Sequence, residues 1–148
     1  MLNKDNLIQY FSDGIKLKGS EKIGTEHEKF IYSKKDLSLI PFHGERSISA
    51  VLKKFIENSW DPIIEDEQIV GANKNQASIT LEPGGQFELS GAPLNNLHET
   101  CREINDHLSF TKSLEEEFDI GFLGIGYIPL GNFNDMPKVP KKRYQQIM

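Results

Sequence analysis

A Pro-Gly-Gly break between two short segments of alternating polar and apolar residues constrains this fold most strongly. The alternation predicts that residues 79–82 form a strand, that residues 83–85 interrupt it, and that residues 86–89 resume it. Because alternate side chains of a strand share a face, Thr80 and Glu82 lie together, as do Gln86 and Glu88. The opposite face carries the apolar side chains of Ile79, Leu81, Phe87 and Leu89. The segment therefore predicts a sheet with one packed face and one wet face, which bears carboxylates that can hold cations.

A long helix is predicted directly after this segment. Apolar residues recur there at intervals of three and four, which is the spacing of one helix face. These residues are Leu94, Leu97, Cys101, Ile104 and Leu108. We expect this stripe to pack on the sheet, and we interpret Cys101 as a small core residue rather than as a nucleophile.

The remaining pattern predicts an α+β fold, with a mainly antiparallel sheet and flanking helices in a single domain over residues 1–148. Helices are expected over residues 3–12, where Leu7, Tyr10 and Phe11 make an apolar stripe, and over residues 48–58, where Ser47 is the N-cap. Strands are expected at 23–32 and 120–128, together with a hairpin around the acidic turn 65–67. Residues 141–148 are predicted to begin a further helix.

Composition excludes several classes of protein. A net charge of -5 argues against nucleic-acid binding, which needs clustered lysine and arginine. No apolar stretch approaches the roughly 20 residues of a membrane span, and the first residues are too polar for a signal peptide. The single cysteine rules out an internal disulfide and suits the reducing cytoplasm, where we expect the protein to reside. The four histidines show no zinc-like spacing with Cys101.

A second carboxylate pair, Glu26 and Glu28, lies two residues apart on the first predicted core strand. A polar edge strand with Lys22 and Lys29 nearby would show the same pattern. Two carboxylates on one face repel each other unless a cation lies between them. Together with Glu82 and Glu88 they supply four carboxylates on one sheet, which are the oxygen ligands that Mg²⁺ prefers.

Several segments also carry a family resemblance. They read ITLEPGGQFELSGAP, LHETCREIN, GFLGIGY, IGTEHEKF, GERSISAVL and KKRYQQIM, and they are distributed over most of the chain. This set closely resembles glutamate-cysteine ligase of the plant and proteobacterial type. The resemblance implies a glutamine synthetase-like ligase fold. Two segments depart from the family pattern: Lys141 and Lys142 stand where a KGRY-type motif has its glycine, and residues 130–140 lack the usual PKW loop.

The resemblance implies an activity and a set of site residues. ATP would phosphorylate the γ-carboxylate of L-glutamate, and the amine of L-cysteine would then displace phosphate, which is the first step of glutathione biosynthesis. Mg²⁺ would be held by Glu26, Glu28, Glu82 and Glu88. Arg143 would bind a substrate carboxylate or phosphate, and an Arg at the end of a short basic segment would also fit a solvated surface. Gln86 would contact substrate or a metal-bound water, or it would only bridge strands.

Three readings of the chain stay open at this point. Members of the family are roughly three times longer, so we expect the chain to be the N-terminal portion of a larger ligase catalytic domain. It would then form a homo-oligomer or associate with the missing C-terminal portion. The second reading is a noncatalytic truncated homologue or subunit, and the third is a ligase that joins glutamate to another amine.

Overall fold

The computed structural model describes residues 2–146 and contains a six-stranded sheet in the order β2-β3-β4-β5-β1-β6. Every pairing between these neighbouring strands is antiparallel, which confirms the predicted α+β class. The strands are β1 Glu26–Ser33, β2 Asp61–Glu65, β3 Gln68–Lys74, β4 Ala77–Leu81, β5 Phe87–Ser90 and β6 Ile120–Leu123, and the α-helices are α1 Lys4–Asp13, α2 Ile48–Glu57 and α3 Leu97–Phe118.

Two-residue turns join the first strands of the meander. Asp66 and Glu67 connect β2 to β3 with φ values of 44° and 63°, and Asn75 and Gln76 connect β3 to β4 with φ values of 50° and 70°. Positive φ at both turn residues matches the right-handed twist of the flanking strands. The predicted hairpin around residues 65–67 is therefore confirmed.

The Pro-Gly-Gly segment is a hairpin turn rather than an interruption within one strand. It forms a short 3-10 turn over Pro83–Gly85, and β4 and β5 on either side of it are antiparallel partners. Gly84 and Gly85 both have φ of +78°. A Cβ on Gly85 would lie 2.6 Å from Cγ of Pro137 and 2.7 Å from Cδ1 of Ile48, so only glycine fits there.

The core lies between one face of this sheet and the helices α2 and α3. Ser47 caps α2 as predicted, because its Oγ accepts from the Ala50 amide at 3.2 Å. The apolar residues predicted for the packed sheet face are all buried there, together with the inner face of α2: Ile79, Leu81, Phe87 and Leu89 from the strands, and Ile48, Val51, Leu52 and Phe55 from the helix.

The predicted packing face of α3 is wrong at three of its five residues, since only Leu94, which packs against the core, and Ile104 are partly buried. Leu97 is 71% exposed, Leu108 is 40% exposed, and Cys101 is exposed rather than buried in the core. The helix instead buries Thr100, His107, Thr111 and Leu114. Both threonine hydroxyls donate to carbonyls of their own helix, at 3.3 Å and 3.1 Å. Because these hydroxyls are satisfied within the helix, the threonines can be buried at little cost.

Some predicted boundaries also differ. Ile23 forms only a single bridge with Leu94, and β1 begins three residues later. The predicted strand at 120–128 ends at Leu123. A 3-10 turn over Lys142–Gln146 replaces the helix predicted for residues 141–148, whose last two residues lie outside the described part. Helix α1 forms as predicted, but none of its residues is buried, so its apolar stripe packs on nothing described here. No helix among residues 2–146 combines the length and the apolar character that a membrane crossing requires.

Candidate active site

The face of the sheet opposite the core collects the predicted carboxylates. In the register between β1 and β5, Glu28 stands opposite Glu88 and Glu26 stands opposite Ser90. Thr80 of β4 is the other neighbour of Glu88. Residues directly opposite each other on adjacent strands share a face and contact one another. The fold therefore brings Glu26, Glu28 and Glu88 together from segments about sixty residues apart in the sequence.

Two hydroxyl groups orient the carboxylate of Glu88. Thr80 Oγ1 donates to Oε2 and Ser90 Oγ donates to Oε1, each at 2.8 Å. Glu88 is only 9% exposed, and no ion pair involves it or Glu28 within residues 2–146. Like charges directly opposite each other destabilise a sheet. The Lys141 ammonium is close enough to act on the charge of Glu88 but forms no ion pair with it. This part of the face therefore favours the arrival of a cation.

Glu82 and Gln86 lie at the turn end of the same hairpin. The Glu82 amide donates to the Gln86 carbonyl at 2.8 Å, which continues the β4–β5 pairing by one step beyond Leu81. By alternation, their side chains extend on the face that carries Thr80 and Glu88. Both side chains are partly exposed. All four glutamates thus belong to one face, with Glu82 and Gln86 at its edge.

The segment after Pro140 docks against this edge. Lys141 Nζ and the Tyr144 hydroxyl both donate to the Leu81 carbonyl, at 2.9 Å and 2.7 Å. These bonds hold Arg143 beside the hairpin, where its Nη2 lies 3.2 Å from Oε1 of Glu82 and 2.6 Å from the Tyr144 hydroxyl. Arg143 therefore reaches the carboxylate face, but in this structure it pairs with a predicted metal ligand.

Lys141 is an unusual anchor, because it is a lysine with only 7% exposure. Burial, more than the neighbouring charge of Arg143, lowers the pKa of its ammonium group. The anchoring roles of Lys141 and Tyr144 were missed by sequence reasoning, which considered only Arg143 in this segment. Ser90 was missed as well, although it lies two residues after Glu88 and strand alternation places it on the same face.

The arrangement suits a cation whose remaining ligands are phosphate oxygens and waters. No group of three or more His, Cys, Asp or Glu side chains within residues 2–146 is placed to hold a metal ion. The four glutamates thus share a face without converging on one point. Mg²⁺ in nucleotide sites is usually held by one or two protein carboxylates, with phosphates and waters completing its octahedron. The oriented carboxylate of Glu88 and its neighbour Glu28 fit that requirement.

Comparison with known proteins gives one family over most of the chain. A family model described as Glutamate-cysteine ligase family 2 (GCS2) matches residues 22–148. A chloroplastic glutamate–cysteine ligase of Medicago truncatula is 48% identical over 145 residues, which are 97% of this chain and 28% of the relative. The chloroplastic enzyme A of Oryza sativa subsp. japonica is 46% identical over 97% of this chain and 29% of its own length. The Arabidopsis thaliana enzyme is 44% identical, with coverages of 97% and 27%.

Three findings follow from these comparisons. The chain spans little more than a quarter of the length of the curated relatives it matches. The resemblance drawn from the sequence motifs is confirmed. The expected cytoplasmic location is wrong, since the names of these relatives place them in chloroplasts.

Proposed function

We propose, because the chain belongs to glutamate-cysteine ligase family 2, that it is the metal-binding N-terminal portion of the catalytic domain of an ATP-dependent ligase. The substrates would be L-glutamate, L-cysteine and ATP. The reaction would join the γ-carboxylate of glutamate to the cysteine amine. The choice of cysteine as the amine follows the family description.

The chemistry needs positioning and charge more than reactive side chains. A γ-carboxylate oxygen of glutamate attacks the γ-phosphorus of ATP, the bond to the bridging oxygen breaks, and ADP leaves. The cysteine amine then attacks the carbonyl carbon of the acyl phosphate, phosphate leaves, and the nitrogen loses a proton. Bound Mg²⁺ would neutralise the phosphates during transfer. The chain contributes the carboxylates that would hold the cation and the donors that orient them.

The observation that carries the proposal is the facing pair of Glu28 and Glu88. The two carboxylates are cross-strand partners, one of them is buried, and no basic side chain within the described residues forms an ion pair with either. The hydroxyls of Thr80 and Ser90 fix the direction of Glu88, yet each oxygen keeps a free lone pair. Glu26 and Glu82 would extend the cation site along the face.

Arg143 would handle anions at the edge of this site. The Arg143 side chain is 63% exposed, and its guanidinium is held at the hairpin by contacts with Glu82 and Tyr144. A planar guanidinium can bind a carboxylate or phosphate through two parallel hydrogen bonds. When a cation takes Glu82, Arg143 would be released to contact the nucleotide phosphates or the glutamate carboxylate. Gln86, at the same turn, would contact substrate.

The experiment is isothermal titration of Mg²⁺ together with a nonhydrolysable ATP analogue into the purified chain. We expect saturable binding that requires both components, and we expect it to be lost in a Glu28→Gln, Glu88→Gln double variant. Glu116→Gln is the matched control, because Glu116 is an exposed glutamate on α3, away from the carboxylate face. Circular dichroism of each variant would show that it is folded.

Two results would contradict the proposed cation site. One is binding that survives in the folded double variant, which would place the cation elsewhere. The other is an absence of nucleotide-dependent Mg²⁺ binding in the folded parent chain. The amine is tested separately, by assaying a longer protein that contains this segment with L-cysteine and with other amino acids. Phosphate release faster with another amine would reject cysteine while leaving the cation site intact.

A further inference from the structure

A cavity lies on the helix-covered side of the sheet. It is partly open to solvent and has a volume of about 450 Å³, which is within the range of about 300–1,000 Å³ for small-molecule sites. Its apolar lining includes Phe55, Trp60, Leu89, Leu94 and Phe110. Leu89 directly follows Glu88 in β5, and consecutive strand residues point to opposite faces. The cavity is therefore separated from the carboxylate face by the thickness of the sheet.

His107 lies in the inner wall of this cavity. The residue is 6% exposed, and its Nδ1 has no hydrogen-bond partner. Its Nε2 lies 3.0 Å from Nζ of Lys29. Burial, more than the charges of Lys29 and His27, lowers the pKa of His107 to about 3, so its ring is neutral at pH 7. The Lys29 ammonium can only donate, so Nε2 accepts and the ring proton lies on Nδ1. Protein atoms enclose this N–H, so His107 forms part of the inner wall and does not contact a ligand in the cavity through Nδ1.

The rim of the cavity carries two charged groups that are free. Arg102 and Asp106 both line it from α3, and no hydrogen bond or ion pair joins either to another described residue. They are four residues apart on the helix, so their side chains are neighbours on one face, with Cβ atoms about 5–6 Å apart. That spacing leaves room between them for adjacent groups of opposite charge on one ligand.

The other rim carboxylates are already engaged. Glu103 accepts from the Ala92 amide at 2.8 Å and from Thr25 Oγ1 at 3.2 Å. Because Gly91 has no side chain, the Glu103 carboxylate fits beside it. Glu99 accepts from the amide of Asn95 at 2.8 Å at the start of α3. Lys74 also lines the cavity, and its ammonium donates to the Asn58 carbonyl at 3.0 Å. Arg102 and Asp106 are therefore the cation and the anion of the lining that have no partner among the described residues. A ligand with a single charge would leave one of the two unmatched.

We propose that this cavity binds a zwitterionic α-amino acid with a bulky apolar side chain. Arg102 pairs with the carboxylate of the ligand, Asp106 accepts from its ammonium group, and the apolar side chain enters among Phe55, Trp60 and Phe110. The site does not depend on the proposed ligase activity, because it uses none of the residues of the carboxylate face.

Trp60 provides a built-in reporter, since it is the only tryptophan of the chain and lines the cavity. The experiment follows Trp60 fluorescence while three probes with the same ring are titrated into the full chain. The probes are L-phenylalanine, 2-phenylethylammonium and 3-phenylpropanoate, at about 0.01–10 mM, which covers weak affinities. We expect saturation by L-phenylalanine at a lower concentration than by either singly charged probe.

Variants then test the two charged partners. Arg102→Gln and Asp106→Asn should each weaken L-phenylalanine binding about fivefold or more. Lys112→Gln is the control, because Lys112 is exposed on α3 and does not line the cavity, and it should leave binding unchanged. Both test positions are exposed, so the variants should fold, and circular dichroism would check this. Equal affinity for the three probes, unchanged binding in both variants, or no saturable response from Trp60 would each overturn the proposal.

Discussion

Lys29 and His107 form a buried hydrogen bond of 3.0 Å between two residues that are 78 positions apart in the chain. Lys29 is 3% exposed, and no carboxylate within the described residues pairs with it. The contact joins β1 to α3 beneath the strand pair that carries Glu28 and Glu88. A buried ammonium bonded only to a neutral ring is poorly compensated, and this has measurable consequences for stability.

Lys29 should make stability rise with pH on the alkaline side. Burial lowers the pKa of Lys29 in the folded chain to about 8, from an ordinary value of 10.5. Between these values the unfolded chain binds more protons than the folded chain, so the free energy of unfolding increases with pH. Urea unfolding at pH 7.5, 9 and 10 should show this increase. The Lys29→Met variant, whose side chain is of similar size, should show a smaller increase in the free energy of unfolding.

A matched variant distinguishes the effect of Lys29 from the effects of other lysines. Lys53 is exposed on α2, and Lys53→Met should keep the parent slope between pH 7.5 and 10. The same slope in the parent and in Lys29→Met would show that Lys29 is not the group responsible.

His107 should make the free energy of unfolding decrease as the pH falls below 6.5. Its pKa is about 3 in the folded chain, against an ordinary 6.5. The unfolded chain therefore takes up a proton as the pH falls below 6.5, while the folded chain does not, and stability is lost progressively down to about pH 3. His107→Gln should lose less stability than the parent between pH 7 and pH 4.5 in urea unfolding. His43→Gln, at an exposed position, should behave as the parent does; equal losses in all three would contradict the assignment.

Much of the fold could be predicted because local patterns decide it. The alternation in β4 and β5, the N-cap at Ser47 and the 3,4 spacing in α2 each reflect a short-range rule that the tertiary structure does not override. The carboxylate face also follows from alternation, which places Glu26 and Glu28 on one face of β1. Their meeting with Glu88 could not be derived from local pattern, because it depends on the β1–β5 pairing across about sixty residues.

The errors have a common physical cause. On α3 the rule that apolar residues face the core selected Leu97, Cys101 and Leu108, all of which are exposed. Threonines that bond to their own helix carbonyls, and a histidine that bonds to a buried lysine, are buried instead. Such burial depends on partners that sequence periodicity does not reveal. The same reason explains why Lys141 and Tyr144 were missed, since their role depends on one backbone carbonyl about sixty residues away.

Gly85→Ala should be strongly destabilising. Its φ of +78° is strained for any residue with a Cβ, and the added atom would also overlap Pro137 and Ile48. We expect a loss of about 2–4 kcal/mol in the free energy of unfolding, combining backbone strain with overpacking. Gly126→Ala is the control, because a Cβ there meets nothing within 4 Å and the residue has no positive φ. Chemical denaturation would compare the two, and a loss of similar size in both would refute the steric argument.

Glu28→Gln should have opposite effects with and without divalent cations. In EDTA the substitution removes one of two like charges that face each other across β1 and β5, so it should raise the free energy of unfolding by about 0.2–1 kcal/mol. With Mg²⁺ and a nonhydrolysable ATP analogue, the parent chain should gain stability from binding, whereas the variant should gain less. Thermal unfolding in both buffers measures the two effects, and Glu116→Gln should match the parent in each. If Glu28→Gln destabilised the chain in EDTA, the facing carboxylates would not be a repulsive pair, and the physical basis for a cation at this face would be lost.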